Sequence, residues 1–460
     1  MKFLLLSAIL ILATFATADE RWKGRGARVH FVEVEAEHSH HNGRVIGNSR
    51  TYSKELSAEA SGRRAVQLTA VGQFVEFTLP IRANSIVLRA SIPDSADGRG
   101  LDATLDVFVD GHKQPHPLAV TSRYSWFYGG YPFNNNPHDV LPHHFFDESS
   151  RMLFDREYPQ GAKVKVVVTS TSIAHSFTID LADFELVPGP ISRPGNSLSV
   201  TDFGADPNGQ RDSRDAFQRA VDAGRGQHKT VFIPPGHYLL YDHVIVDQVS
   251  LVGAGPWYSV LGGRHPSDRK RSAGIFGKYD ADGHGASSHV HLANFAIIGD
   301  ITERDDSAPT TALGGSLSNS LAENLWLQHV KCGAWFEGRM SNFTLRRSRI
   351  LDTTADGLNF HKGVTGSTVE DCFVRNTGDD GLAMWSDSIP EVGNRFVHNS
   401  VGLPILANNI AIYGGHEIEV SDNLVYDTVT NGGGIHIANR FTNVKGESGV
   451  KGNIRVRRND

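Results

Sequence analysis

Ala355-Asp356-Gly357-Leu358-Asn359-Phe360-His361 and, 24 residues on, Asp379-Asp380-Gly381-Leu382-Ala383-Met384-Trp385 are two copies of one pattern. An acid and a glycine open each copy, and an apolar residue then falls at every second position. Gly333 stands 24 residues before Gly357, while Asn409 and Gly434 continue the series at 28 and 25. A repeat of this length, made of short β-rich runs with Gly, Asn and Asp between them, marks a parallel β-helix. No coil can bury its apolar edge alone, so the coils stack and inward Leu, Ile, Val and Phe form a continuous ladder. A leucine-rich or propeller array is the alternative, but the LxxLxL pattern and the tryptophan-aspartate blade marks are missing.

Outward from this repeat the chain changes character. Asp215 to Ala223 reads as one amphipathic helix, with Phe217, Ala220 and Val221 on one face. Three prolines lie between Pro188 and Pro194, so residues 188–197 form a linker. Before it, residues 26–187 hold period-2 runs such as Phe74-Val75-Glu76-Phe77-Thr78-Leu79 and Val164-Lys165-Val166-Val167-Val168, bounded by Gly, Pro, Asn and Asp. That pattern predicts an antiparallel β-sandwich. The fold class is therefore all-β: a sandwich followed by a parallel β-helix over residues 198–460.

Composition narrows the function. The 460 residues carry 45 basic and 51 acidic side chains, a formal charge of −6, which argues against nucleic acid or an anionic membrane as partner. Lys2, the apolar run Phe3 to Phe15 and Ala16-Thr17-Ala18 read as a signal peptide over residues 1–18, so the protein is expected to be secreted. Cys332 and Cys372 could pair in an oxidising compartment, or remain buried thiols. Their positions in the repeat do not match.

Stacking gathers acids. Neighbouring coils lie about 4.8 Å apart, so aligning Gly357 with Gly381 sets Asp356 beside Asp380, with Asp379 adjoining. Asp before Gly is common at turns, but three acids at adjoining positions repel one another and point to function. Alternation sends Asn359, His361, Ala383 and Trp385 outward, with Tyr413 one coil on. An exposed His–Trp–Tyr row beside carboxylates suits a sugar groove, and Asn359, His361, Arg375, Trp385, Tyr413 and His436 are the candidate substrate contacts. Paired carboxylates without a nucleophile elbow, phosphate loop or zinc motif point to glycoside hydrolysis. A polysaccharide lyase is the runner-up on this fold.

The residues quoted also carry a resemblance. Ser199-Val200-Thr201-Asp202-Phe203-Gly204-Ala205 and the helix after it resemble the entry segment of the pectate-lyase-like superfamily. Ala355–Phe360 followed by Val374–Ser386 resembles glycoside hydrolase family 87, the α-1,3-glucanases (mutanases) and mycodextranases. The resemblance implies a right-handed β-helix and endo-acting, inverting hydrolysis of α-1,3-glucan, with Asp356, Asp379 and Asp380 as the catalytic acids. It further implies that Asp379 is the general acid and that Asp356 and Asp380 hold and deprotonate water. Inversion expects acid and base carboxyls about 6.5–9.5 Å apart. Dextran or polygalacturonate as substrate, or an inactive glycan-binding protein, are the alternatives. No cofactor is required, the expected partner is the polysaccharide substrate, an α-glucan, and the protein is expected to be a monomer.

The front domain resembles carbohydrate-binding modules of the galactose-binding-like type, which implies a structural calcium with Glu35, Glu37 and Asp183 as candidates. Tyr124, Trp126, Tyr128, Tyr131 and Phe133 form an aromatic loop expected to pack between domains. The family usually carries more coils than remain here, and Asn453–Asp460 reads like the start of another. The β-helix is therefore expected to be incomplete at the C-terminus.

Overall fold

A computed structural model describes residues 24–130, 133, 136–139, 141–279 and 287–460. The signal-peptide segment 1–18 and Tyr131 lie outside them.

The sandwich is two antiparallel six-stranded sheets. One is centred on Ala83–Ser91 and Phe177–Glu185, the other on Lys163–Val167 between Phe74–Thr78 and Asp102–Val109. Period-2 alternation does here what it predicts. Val75 and Phe77, Leu105 and Val107, and Val164 and Val166 turn inward against Leu88, Phe177, Ile179 and Phe184 in one core.

The β-helix has three parallel sheets of ten, nine and eight strands. Its entry end is closed by the helix Arg214–Gln227, which buries Ala216, Phe217, Ala220, Val221 and Gly224. One core runs from Val200 to Ile454 and contains the inward residues Leu358, Phe360, Leu382 and Met384. The glycine beat has a packing cause. A Cβ on Gly333, Gly357 or Gly381 would sit 2.6, 2.3 and 2.6 Å from the backbone oxygen of Gly357, Gly381 and Asn409 in the next coil. Only a residue without a side chain fits the close approach of stacked turns.

The domains are joined through a buried interface. Phe31, Val87, Trp326, Leu351 and Phe373 form one apolar cluster across it, and Phe127 and Phe145 with Leu403, Ile405 and Val429 form another. Tyr124 stacks on His329 at 3.6 Å and donates its hydroxyl to Asp300 at 2.8 Å, and Phe133 packs on the second cluster, so these two bridge the domains. Trp126 and Tyr128 instead bond within the sandwich, to Ile92 and Asp94.

Arg375 lies between these clusters and is a correction to the sequence reading. It is 1% exposed, with Nη2 on Glu148 Oε2 at 2.6 Å and Asp183 Oδ2 at 2.9 Å, and Nη1 on Glu33. Alternation along Phe373–Thr377 turns the guanidinium towards the sandwich, away from any sugar groove. Of the calcium candidates, Asp183 faces Arg375 at 2.9 Å and Glu35 accepts from Ser61 Oγ at 2.7 Å. Among the described residues Glu35, Glu37 and Asp183 do not form a group of three ligating atoms within 4.8 Å. Cys332 and Cys372 are buried free thiols, not a disulfide.

Candidate active site

The second-sheet strands Arg349–Thr353 and Phe373–Thr377 are stacked in register, and each ends in a tight turn before a strand of the third sheet. The same lock holds both turns. Thr353 Oγ1 donates to the carbonyl of Ala355 at 2.8 Å, and Thr377 Oγ1, 24 residues on, donates to the carbonyl of Asp379 at 2.9 Å. The turns place Asp356 on one coil and Asp379 and Asp380 on the next. One carboxylate oxygen of each lies within 4.8 Å of the others. This is the closest approach of single oxygens on adjacent coils, a different measure from the 6.5–9.5 Å carboxyl separation expected for an inverting pair.

Each acid is held differently. Asp356 is 7% exposed; its Oδ2 accepts from Asn359 Nδ2 at 2.7 Å and its Oδ1 from the Asp380 backbone N–H at 3.2 Å. Burial, then the charges of Asp379 and Asp380, push its carboxyl well above the ordinary aspartate range. Asp380 is 4% exposed and its Oδ1 accepts from both the backbone N–H and the Nδ2 of Asn408, at 2.8 and 2.7 Å. Burial and Asp379 raise it to about 6 against these donors. Asp379 is half-buried, and Arg304 donates Nη2 to its Oδ2 at 2.7 Å.

The predicted stacking row exists. His361 pairs in register with Trp385, and Trp385 with Tyr413, and the His361 and Trp385 rings lie 4.7 Å apart. The row is less open than expected. His361 and Tyr413 are buried, because residues 438–444 fold back over this face and pack Phe441 against Trp385 and Tyr413 at 5.0 and 4.9 Å. Tyr413 contributes its hydroxyl, bonded by Asn408 Nδ2 at 3.1 Å beside Asp380, more than its ring face. A second outward row runs Trp335, Asn359, Ala383, Ala411, His436, one residue per coil. Its alanines, Ala383 and Ala411, are fully buried and pack with Tyr413 and Val444. The His361 nitrogens stand 3.4 Å from Glu337 Oε1 and 3.6 Å from Asp387 Oδ2, while Asn359 Oδ1, Trp385 Nε1 and His436 Nε2 are buried polar atoms without a hydrogen-bond partner among the described residues. Groups of this kind are costly unless something bonds them. A separate cleft of about 600 Å³ near Phe31, Trp257 and Asp371 lies at the opposite edge of the second sheet and contains none of the acids.

Sequence reasoning missed Arg304, Asn408, Trp335 and Phe441. Two of them were signalled. Trp335 stands 24 residues before Asn359, and Asn409 in the glycine position puts Asn408 in register above Asp380. Arg304 and Phe441 come from segments outside the repeat and carry no periodic mark.

The domains match two family models: α-1,3-glucanase catalytic domain D1 over residues 29–187 and domain D2 over residues 211–444. No curated protein sequence matches. Among solved structures, the catalytic unit of the thermostable GH87 α-1,3-glucanase from Streptomyces thermodiastaticus strain HF3-3 is 41% identical, with a TM-score of 0.84 over 94% of this chain and 75% of that one. The Agl-KA catalytic domain is 26% identical, with a TM-score of 0.85 over 95% and 77%. A GH87 α-1,3-glucanase catalytic domain in complex with nigerose is 25% identical, with a TM-score of 0.82 over 95% and 76%. Matched across both domains and 41% identical to one member, the chain belongs to the GH87 α-1,3-glucanase family and is a glycoside hydrolase.

Proposed function

We propose that this protein is a secreted, monomeric, endo-acting and inverting hydrolase of α-1,3-glucan. The observation that carries the reading is the trio Asp356, Asp379 and Asp380, with oxygens within 4.8 Å, opening onto a patch of unpartnered polar atoms. The captured nigerose complex of a 25% identical family member supports the choice of linkage. Endo action is supported by the place of the acids. They adjoin the coils of Asn359 and Ala383, in the middle of a row of five coils that spans about 19 Å at the ordinary interstrand spacing. Sugar units can therefore lie on both sides of the cleaved bond.

The hydrogen bonds divide the work. Asp356 has a donor on each oxygen, and Asp380 has two on Oδ1. Asp380, raised only to about 6, is ionised near neutral pH and takes the proton of a water that Asp356 helps to hold. Asp379, half-exposed at the front, gives its proton to the leaving glycosidic oxygen. Arg304 fixes its orientation by donating to Asp379 Oδ2 at 2.7 Å. Water attacking directly, with no glycosyl-enzyme, inverts the anomeric carbon.

The test is to incubate the protein with insoluble α-1,3-glucan, nigeran, dextran and polygalacturonate and to follow reducing ends and product anomers by NMR. Release of β-anomeric oligosaccharides from α-1,3-glucan, lost in Asp379→Asn, is expected. Release from dextran or polygalacturonate alone would refute the linkage, and α-anomeric first products would refute direct attack by water.

A further inference from the structure

We propose that the sandwich carries a second sugar-binding site, separate from the catalytic patch, which holds a neutral glucan segment between Glu59, His144 and Trp126. These residues line a cavity of about 490 Å³ in the sandwich. Its floor is a chain of three buried polar side chains, Ser91, His144 and Glu59, each no more than 2% exposed. Ser91 Oγ meets His144 Nε2 at 2.8 Å, and His144 Nδ1 stands 3.7 Å from Glu59 Oε2. Neither Glu59 oxygen, nor His144 Nδ1, has a hydrogen-bond partner among the described residues.

A buried carboxylate with two unmet acceptor oxygens is among the costlier groups a fold can carry. Glu59 lies in the short 3-10 turn Leu56–Glu59, and its backbone carbonyl accepts from Arg89 Nη2 at 3.1 Å while its carboxylate is left to the cavity. The chemistry that answers two adjacent acceptors is a pair of neighbouring hydroxyl donors, the vicinal diol of a sugar ring. The wall supplies the apolar half of such a site. Trp126 lines the cavity with its indole N–H fixed on the Ile92 carbonyl at 3.2 Å, and its ring rests on His144 at 4.4 Å. Lys54, Glu55, Thr69 and His175 are exposed at the rim. Mixed charge at the mouth and a carboxylate at the base disfavour an anionic ligand. A metal ion is disfavoured too, since Glu59 and His144 belong to no group of three ligating atoms among the described residues.

Position gives the site a use. Trp126 and His144 face each other across the hairpin Trp126–Tyr128 with Pro142–His144. Phe127 and Phe145, from the alternate positions, pack on Leu403 and Ile405 of the β-helix. Ile405 donates its N–H to Thr377 at 2.8 Å, two residues before Asp379. The cavity is thus one hairpin away from the catalytic turn, and a glucan strand held there stays beside the groove.

That the sugar is an α-1,3-glucan rests on the function proposed above; that a sugar binds here does not. The experiment titrates the full chain carrying Asp379→Asn calorimetrically with an α-1,3-linked glucose tetrasaccharide and, separately, an α-1,6-linked one. Two sites for the α-1,3 sugar are expected. Adding Glu59→Gln should weaken one of them at least tenfold, and Thr69→Trp, an exposed rim substitution that leaves the buried chain intact, should block it. A single site that neither substitution alters overturns the proposal. Binding of only the α-1,6 sugar, abolished by Thr69→Trp, would uphold the sandwich site and refute the α-1,3 linkage instead.

Discussion

Arg375→Met separates a structural arginine from a sugar-binding one. Arg375 is fully buried, and its partners Glu148 and Asp183 are 0% and 4% exposed on their side chains. Methionine keeps an unbranched apolar stem near Phe373 and removes the guanidinium, whose carbon lies 4.8 Å from that ring, with its bonds to Glu148, Asp183 and Glu33. Breaking one side of a buried ion pair costs about 3–5 kcal/mol, since the remaining carboxylates stay buried without their cation. Unfolding entropy is about 2.1 cal/mol/K per residue. For a cooperative unit of roughly 430 residues that is about 0.9 kcal/mol/K, so Tm should fall by about 3–5 °C. The loss depends on pH. Burial raises Asp183 to about 7 and also raises Glu33, each against the pull of Arg375. An acid raised on folding contributes stability that is full below its unfolded value near 4 and is lost as pH rises through about 7. Removing the cation raises both acids further, so the drop in Tm should be larger at pH 8 than at pH 5. Differential scanning calorimetry at the two pH values measures it. An unchanged Tm at pH 8 with a raised KM for α-1,3-glucan would refute the interface account and restore the original reading.

Four further outcomes are expected. Asp379→Asn should lower kcat by about 10²–10⁴, the range for a lost general acid, while binding of an α-1,3 tetrasaccharide is retained; equal kcat would remove Asp379 from the chemistry. Asn408→Ala deletes a donor that favours the Asp380 carboxylate, so Asp380 rises from about 6 and the acid limb of kcat/KM moves up by on the order of one pH unit; a downward shift would contradict the sign. Trp385→Ala should raise KM by about 2- to 10-fold through loss of a stacking surface, with kcat changed less; a kcat effect alone would argue against a sugar contact. Residues 198–460 expressed alone should aggregate or melt well below the full chain, because separation exposes Trp326, Leu403 and Ile405 and leaves Arg375 without its three carboxylates; a soluble fragment with equal Tm would show that the interface is dispensable.

What was legible in the sequence is what repeats within one coil. The register Leu358 to Leu382 and His361 to Trp385, the acids at the turn and the inward ladder all follow from a 24-residue period and two-residue alternation, because stacked coils turn sequence spacing into spatial contact. Asn408 and Trp335 obey the same rule and were within reach of it. Arg304 was not. It sits in the long connection between Ile298 and Leu313, and no period leads from residue 304 to residue 379.

Arg375 shows a different limit. Arg375 stands on the strand that leads into the acid turn, and a charged residue beside a sugar site reads as a ligand contact. In a lone β-helix that inference would stand, because outward would mean solvent. Here the second sheet is covered by the sandwich, and the carboxylates that receive Arg375 lie 192 to 342 residues away. They also sit on strands that look complete in themselves: Glu33 and Asp183 face one another across an antiparallel pair, and Asp183 reads there as a calcium candidate. Each domain's pattern was legible separately, yet the charges at the seam have meaning only jointly. Arg89 makes the same point from the other side, buried in the sandwich but bonded to Asn376 of the catalytic strand at 3.1 Å. Since Asn376 adjoins Thr377, whose hydroxyl locks the Asp379 turn, the sandwich belongs to the apparatus that shapes the active site.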